Sequence, residues 1–250
     1  MANASPVESL PETRADRWLA LQTLISHWYR PLSEGDGVHA VDLDHAEQTL
    51  GISLPMAFRE WYVQSGNRSD VWCGQDRLLP PNELSLQDDA LIFYVENQGV
   101  VRWGIPVESL SSEDPPVVVE SVDNAAEWHV ENDSLSAFAV QRAVFDIKFS
   151  PNCRCWANGA GNAAVLNIIA ESVPRLGFPS WHWPWPGRTE FFGYRDLIVE
   201  TNGGVDWIWV SSRTELDFQE LERLLLPAGI RWEASSEEWP PGWFSSSSTP

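Results

Sequence analysis

The stretch Ala90–Pro106, ALIFYVENQGVVRWGIP, constrains the fold of this chain more than any other. Leu91–Val95 and Val100–Trp103 are runs of β-branched and aromatic residues, and the polar break Asn97-Gln98-Gly99 separates them. Two such runs around a glycine-containing break predict a β-hairpin at the centre of a sheet. Gly99 suits the break because glycine adopts φ > 0 without steric cost. The stretch contains no nucleophile–base pair and no set of metal ligands, so it indicates architecture rather than chemistry.

The segments around the hairpin change between helical and strand periodicity. Apolar residues at helical spacing predict helices over residues 17–30, 42–50, 55–65 and 134–148. Runs of strand-forming residues predict further strands over residues 70–73, 77–79, 117–122 and 128–130. Helices, then a meander of strands, then a helix indicate an α+β fold rather than alternating βαβ units.

The chain after residue 150 has a plan of its own. Ser150–Gly161 contains Pro, Asn and Gly residues and is interpreted as a loop at a domain boundary. Beyond it, the pattern predicts helices over 163–173 and 218–226 and strands over 189–194, 197–201 and 205–211, which together favour a smaller αββα layer. The predicted domains are therefore 15–150 and 151–233, with flexible tails at 1–14 and 234–250.

The charge of the chain is strongly negative. The sequence has 36 acidic and 16 basic residues, a formal net charge of −20, and Lys148 is its one lysine. Such a charge repels phosphate backbones, which argues against direct binding of nucleic acid, and it attracts a basic partner. An acidic composition can also serve solubility alone, and this alternative stays open.

The cysteines and the apolar runs bear on the compartment. Cys73, Cys153 and Cys155 form no disulfide framework, and the C-x-C pair lacks the further ligands at regular spacing that zinc sites use. The first residues lack the charged and apolar regions of a signal peptide. No apolar run approaches the roughly 18 residues that span a bilayer. The expectation is a cytoplasmic protein without a membrane segment, a metal or a cofactor.

Catalytic candidates are weak. Cys73 has no family motif around it that would pair it with a histidine, and a buried thiol is the favoured interpretation. Adjacent acids such as Glu237-Glu238 are typical of solvated faces. Gly159-Ala160-Gly161 lacks the pattern of a phosphate-binding loop. We therefore expect no catalytic residues and no enzymatic activity.

Four segments between residues 40 and 150 have a distinctive order and spacing. They are LGISLP at Leu50–Pro55 before a helix with FREWY at 58–62, ENQGVVRWGI at Glu96–Ile105, EDPPVVV at Glu113–Val119, and Glu127-Trp128 before a helix from Leu135. Together they resemble the SUKH superfamily, which contains the yeast Smi/Knr cell-wall regulators and many bacterial proteins. The resemblance does not extend to residues 151–250.

The resemblance implies a curved antiparallel sheet flanked by helices. Its signature residues are Leu54, Pro55, Asn97, Gln98, Gly99, Trp103, Asp114, Pro115 and Pro116. We expect them to identify the fold rather than to mark a site. Asn97 and Gln98 would fix the turn by bonding the backbone, and Trp103 would lie in the core.

The resemblance also implies binding rather than catalysis. Bacterial members are mostly viewed as immunity proteins that bind and block a toxin domain, often a nuclease, whereas the yeast relatives act as regulatory adaptors. A basic protein partner such as a toxin domain agrees with the charge of −20. Loop placement makes these acids the candidate contacts: Asp70, Asp76, Asp88, Asp89, Glu113 and Asp114. The oligomeric state is not indicated.

The 15 tryptophans leave two alternatives open. The cluster Trp181, Trp183 and Trp185, in the loop SWHWPWPG, would serve as the interaction element of a scaffold or adaptor. Stacked tryptophans would also serve a carbohydrate-binding module. The scattered tryptophans are more simply explained by packing.

Overall fold

The computed structural model describes residues 9–120, 127–181, 183, 188–203 and 206–237. The chain divides into two compact units. Of the described residues, the N-terminal unit contains 11–26 and 30–146, and the C-terminal unit contains 9–10, 27–29 and those from 147 onward. Both units combine an antiparallel sheet with helices, so the predicted α+β class is confirmed.

The N-terminal unit is built on an antiparallel sheet with the strand order β1-β3-β4-β5-β6, and β2 pairs with β3. The hairpin β3–β4 lies at the centre of this sheet, as predicted. Its elements are α1 Arg14–Trp28, α2 Ala40–Leu50, α3 Met56–Ser65, α4 Ser69–Trp72, β1 Arg77–Leu78, β2 Ser85–Gln87, β3 Ala90–Val95, β4 Arg102–Pro106, β5 Val117–Glu120, β6 Trp128–Asn132 and α5 Leu135–Phe145.

An aromatic cluster forms the core of this unit. Trp61 of α3 is fully buried, and its ring centroid lies 5.1 Å from that of Trp72, 5.9 Å from that of Phe93 and 6.2 Å from that of Phe138. Edge-to-face contacts of this kind stabilise a core beyond the area that they bury. The cluster joins α3, α4, β3 and α5, which holds one face of the sheet against the helices.

Two local predictions for the N-terminal unit are wrong. Residues 69–72 form the short helix α4, not a strand, and the buried Arg68 side chain binds Asp70 in its first turn through Nε at 2.7 Å and Nη2 at 2.8 Å. Helix α1 begins three residues early, because the Thr13 hydroxyl accepts the Asp16 N–H at 3.2 Å and caps it.

The C-terminal unit has a second antiparallel sheet, with the strand order β11-β7-β10-β9-β8. The elements of this unit are β7 Cys155–Ala160, α6 Ala163–Ser172, β8 Thr189–Tyr194, β9 Leu197–Asn202, β10 Trp207–Ser212, α7 Glu215–Leu225 and β11 Arg231–Ser235. Alternation along β10 places Ile208 and Val210 in a core with helices α6 and α7, whereas Trp207 and Trp209 lie on the other face.

This sheet corrects the expected αββα layer. The predicted loop Ser150–Gly161 contains β7, which lies between β10 and β11. Strand β11 includes Ala234 and Ser235, which the sequence pattern assigns to a flexible tail. Close approach explains the glycine of β7, because a Cβ on Gly159 would lie 2.0 Å from the carbonyl oxygen of Arg231. Long-range pairing, which local propensity does not contain, creates both strands.

Candidate partner-binding groove

The expected contact Asp76 lies in the interior, which corrects its interpretation as an exposed loop acid. Its side chain is fully buried, and Oδ2 lies 2.8 Å from Nη2 of the buried Arg142. Arg142 also binds Asp146 through Nε at 3.0 Å and Nη2 at 3.0 Å. A buried ion pair of this kind is structural, because removing one partner leaves an uncompensated charge. Asp76 is therefore not available to a partner at the surface.

Three other candidate acids are held by neighbours within the N-terminal unit. Asp70 binds the buried Arg68, as described above. Glu113 is largely exposed and forms an ion pair with Arg14 Nη1 at 2.9 Å. Asp114 accepts the Ser136 N–H at 2.9 Å and the Ser136 hydroxyl at 2.6 Å, so it caps helix α5 from a distant loop.

Asp88 and Asp89 form the two-residue turn between β2 and β3. Gln87 pairs with Ala90 across the turn, and both aspartates have positive φ, 50° and 61°. Two-residue hairpin turns require this geometry, which glycine and asparagine adopt most easily. Two aspartates in positions of this type cost free energy of folding, and such outliers cluster at functional sites.

Arg102 of β4 organises the side chains beside this turn. Its guanidinium binds Glu120 through Nε at 2.7 Å and also through Nη2, and it binds Asp88 at 2.9 Å. These carboxylates raise the pKa of Arg102 further above its usual value, mainly through the Glu120 hydrogen bonds. The guanidinium lies 5.8 Å from the ring centroid of Trp128, within cation–π range.

Next to this network lies a groove of about 610 Å³, which we call the sheet-face groove. It is lined by Asp89, Ala90, Pro106, Val107, Glu108, Ser109, Pro116, Val118, Trp128 and Val130. The register explains its floor, because Val118 pairs with Val130 and Ala90 with Pro106, and directly paired residues point to one side of a sheet. Val107 and Val130 remain 42% and 54% exposed.

The rim of the groove is negative. Asp89 and Glu108 form no ion pair in the part of the chain that the structure describes. Arg102 does not compensate for them, because it already binds two carboxylates, those of Glu120 and Asp88. An apolar floor with an uncompensated acidic rim is suited to an apolar side chain flanked by a positive charge.

The structure describes two of the three tryptophans of the expected cluster, Trp181 and Trp183. Trp181 is fully buried, with its ring centroid 6.1 Å from that of Phe191, and so it packs in the C-terminal unit. Trp183 is half-buried, and Trp185 lies outside the described residues. Trp181 is therefore not an exposed interaction element, which corrects that candidate and weakens the carbohydrate alternative.

The signature residues have structural positions. Pro55 precedes the first residue of α3, Leu54 and Pro115 are buried, Pro116 lines the groove, and Trp103 is fully buried as predicted. Gly99 has φ of 72° in the turn. The side chains of Asn97 and Gln98 are exposed. The Glu96 carboxylate, not theirs, fixes the turn by accepting the N–H groups of Gln98 and Val100.

The thiols are not poised as nucleophiles. Burial raises the pKa of the Cys153 thiol to about 12. Cys73 is exposed, which corrects its interpretation as a buried thiol, although partial desolvation still raises its pKa above the usual value. Thiols of this kind stay protonated at neutral pH and react slowly. Among the described residues, no group of three or more His, Cys, Asp or Glu side chains is placed to hold a metal ion. No helix in the described ranges has the length and apolarity to cross a membrane.

Sequence reasoning found Asp88 and Asp89 but missed Arg102, Glu108 and Trp128 as site residues. The sequence contains part of the information needed to find them, because Arg102 and its partner Glu120 both lie in predicted strands. Pairing between β4 and β5 and between β5 and β6 brings them together, and one sequence does not contain that register. Comparison of the chain with family models, curated proteins and solved structures found no match.

Proposed function

We propose that this chain is a non-catalytic, cytoplasmic binding protein of the SUKH type, which binds a basic toxin domain and neutralises it by occlusion. The sheet-face groove carries the proposal, because an apolar floor around a held indole is bordered by the carboxylates of Asp89 and Glu108, which form no ion pair with any described residue. Buried aromatic anchors contribute much of the affinity in protein interfaces. The acidic rim adds preference for a positive surface.

The charge of the chain supports the same function. A net charge of −20 steers a basic protein toward the binding surface and raises the association rate at low salt. It also repels nucleic acid, so the protein would compete with the nucleic acid substrate of a nuclease toxin rather than bind that substrate.

The order of elements supports the proposed SUKH relationship. The four segments that suggested it occupy the start of α3, the β3–β4 hairpin, the loop into β5, and the passage from β6 to α5. Asp114 gives one signature residue a physical reason, since it caps α5. These observations agree with a fold in which the signature serves architecture.

The test is co-expression with the toxin domain that the neighbouring reading frame encodes. The expected result is rescue of growth and a complex that purifies intact, with an affinity that falls as salt rises. The matched control is a basic toxin domain from an unrelated locus, which should not be neutralised. Neighbouring genes without a toxin, or a toxin that is neither bound nor neutralised, would overturn the proposal.

A further inference from the structure

The floor of the sheet-face groove is apolar surface that no described side chain covers fully. Val107 and Val130 expose 42% and 54% of their surface beside the half-buried Trp128. Both valines are β-branched and therefore stiff at χ1. Burying them against a partner would gain free energy from the apolar area and lose little side-chain entropy.

The groove is organised before any partner arrives. The Trp128 indole N–H donates to the Asp88 carbonyl at 2.8 Å, and the Val107 N–H donates to the Asp89 carbonyl at 2.9 Å. The two hydrogen bonds connect strand β6 and the end of strand β4 to the same turn, Asp88-Asp89. A surface held in this way binds with a smaller ordering cost.

The rim sets the charge of the occupant. Asp89 and Glu108 have no cationic partner among the described residues, and the neighbouring Arg102 is outnumbered by the carboxylates of Glu120 and Asp88. An anionic occupant would meet only repulsion there. A cationic side chain would meet two carboxylates that have no partner to give up.

We infer that the sheet-face groove binds an extended segment of the basic partner, in which an aliphatic or aromatic side chain stands next to an arginine or lysine. The apolar side chain packs against Val118, Trp128 and Val130, and the cation binds Asp89 and Glu108. A groove of about 610 Å³ holds a few side chains rather than a domain. The inference rests on the proposed function and adds the chemistry of the segment that the groove selects.

The decisive variant pair keeps shape and total charge equal. Asp89→Asn with Glu108→Gln neutralises the rim. Glu34→Gln with Asp42→Asn removes the same charge from exposed positions of the same unit that form no ion pair with the described residues and do not line the groove. Both double variants should unfold at the same temperature as the parent protein. Any difference between them in binding then reports position rather than net charge.

The probe is a short synthetic peptide of alternating arginine and valine, followed by the ¹⁵N–¹H signal of the Trp128 indole. The Trp128→Phe variant identifies that signal. We expect a saturable shift, and affinity that is up to roughly tenfold weaker for the rim variant, because two charge pairs at exposed positions are lost together. The Glu34/Asp42 control should retain the parent affinity. A peptide with serine in place of valine should bind more weakly at equal charge.

The outcomes separate the inference from the proposed function. Equal weakening in both double variants, or no shift at Trp128, would overturn the inference, since binding would then follow net charge or lie elsewhere. If the rim variant neutralises the toxin domain as well as the parent does, the groove inference fails while the proposed function stands. If the peptide binds at the groove but no toxin is bound, the proposed function fails and the groove stands.

Discussion

The indole Nε1 of Trp128 donates a hydrogen bond to the backbone carbonyl of Asp88, with 2.8 Å between the two heavy atoms. This bond connects strand β6 to the turn between β2 and β3, and the strand and the turn are far apart in sequence. It holds the aromatic ring of the groove floor beside the turn that carries the rim acid Asp89. The bond therefore brings a turn with unfavourable backbone geometry and an exposed apolar surface into one site.

That turn predicts opposite effects on stability and binding. Asp89→Gly should raise the free energy of unfolding by about 0.5–1 kcal/mol, because glycine adopts φ of this sign without steric cost. The same change should weaken binding of the basic partner, because it removes a rim carboxylate. Urea denaturation and titration calorimetry measure the two effects. Asp89→Asn is the control, since asparagine tolerates this conformation and should leave stability within about 0.5 kcal/mol. A less stable glycine variant would contradict the prediction.

The contacts of Asp114 with Ser136 predict that the Asp114 side chain stabilises the fold. Asp114→Ala should lower the free energy of unfolding by about 1–2 kcal/mol, because the N–H and hydroxyl of Ser136 lose their acceptor. Glu113→Gln, at the exposed neighbouring position, should change stability by less than about 0.5 kcal/mol. Chemical denaturation of both variants tests the difference. Equal effects would show that the carboxylate of Asp114 does not act as a helix cap.

Asp36 predicts a dependence of stability on acidic pH. Hydrogen bonds from the Arg30 guanidinium, and further ones from Ser33, hold the pKa of the Asp36 carboxyl well below its usual range. Because the folded pKa is depressed, the stabilisation is complete above the unfolded value of about 3.9 and is lost as pH falls toward the folded value. Urea denaturation at a series of acidic pH values should show this loss.

Asp36→Asn provides the matched comparison. It should be less stable than the parent near neutral pH, and the difference should shrink as pH falls below about 4, since the parent then also loses its carboxylate. Asp42→Asn, at an exposed helix position, should follow the parent curve. A constant difference between parent and Asp36→Asn across the acidic range would be the contrary result.

The close approach of β11 to Gly159 predicts that strand β7 has no room for a side chain at this position. Gly159→Ala should destabilise the C-terminal unit by about 1–3 kcal/mol, because the new methyl group would meet the Arg231 carbonyl and force β11 away from β7. Gly203→Ala is the control, since nothing lies within 4 Å of a Cβ there. Hydrogen exchange of the β7 and β11 amides locates the effect. Unchanged protection in Gly159→Ala would count against the close pairing.

The candidate site shows where inference from one sequence ends. A loop acid is visible in the sequence itself, so the sequence indicates Asp88 and Asp89. The same criterion selects Asp76, yet Asp76 is buried against Arg142. Loop membership does not determine exposure, because burial depends on which distant side chain offers a compensating charge.

The sequence by itself determined the α+β class, the central hairpin and the apolar faces of the helices. Phe58, Trp61 and Tyr62 are all buried, as their helical spacing predicts. These features follow from periodicity and from turn residues, which act over a few positions of the chain. Only the tertiary structure decided that Cys155–Ala160 is an inner strand and that Asp89, Glu108 and Trp128 line one groove. Those outcomes depend on strand register and on backbone partners far away in sequence, and local propensity carries no record of either.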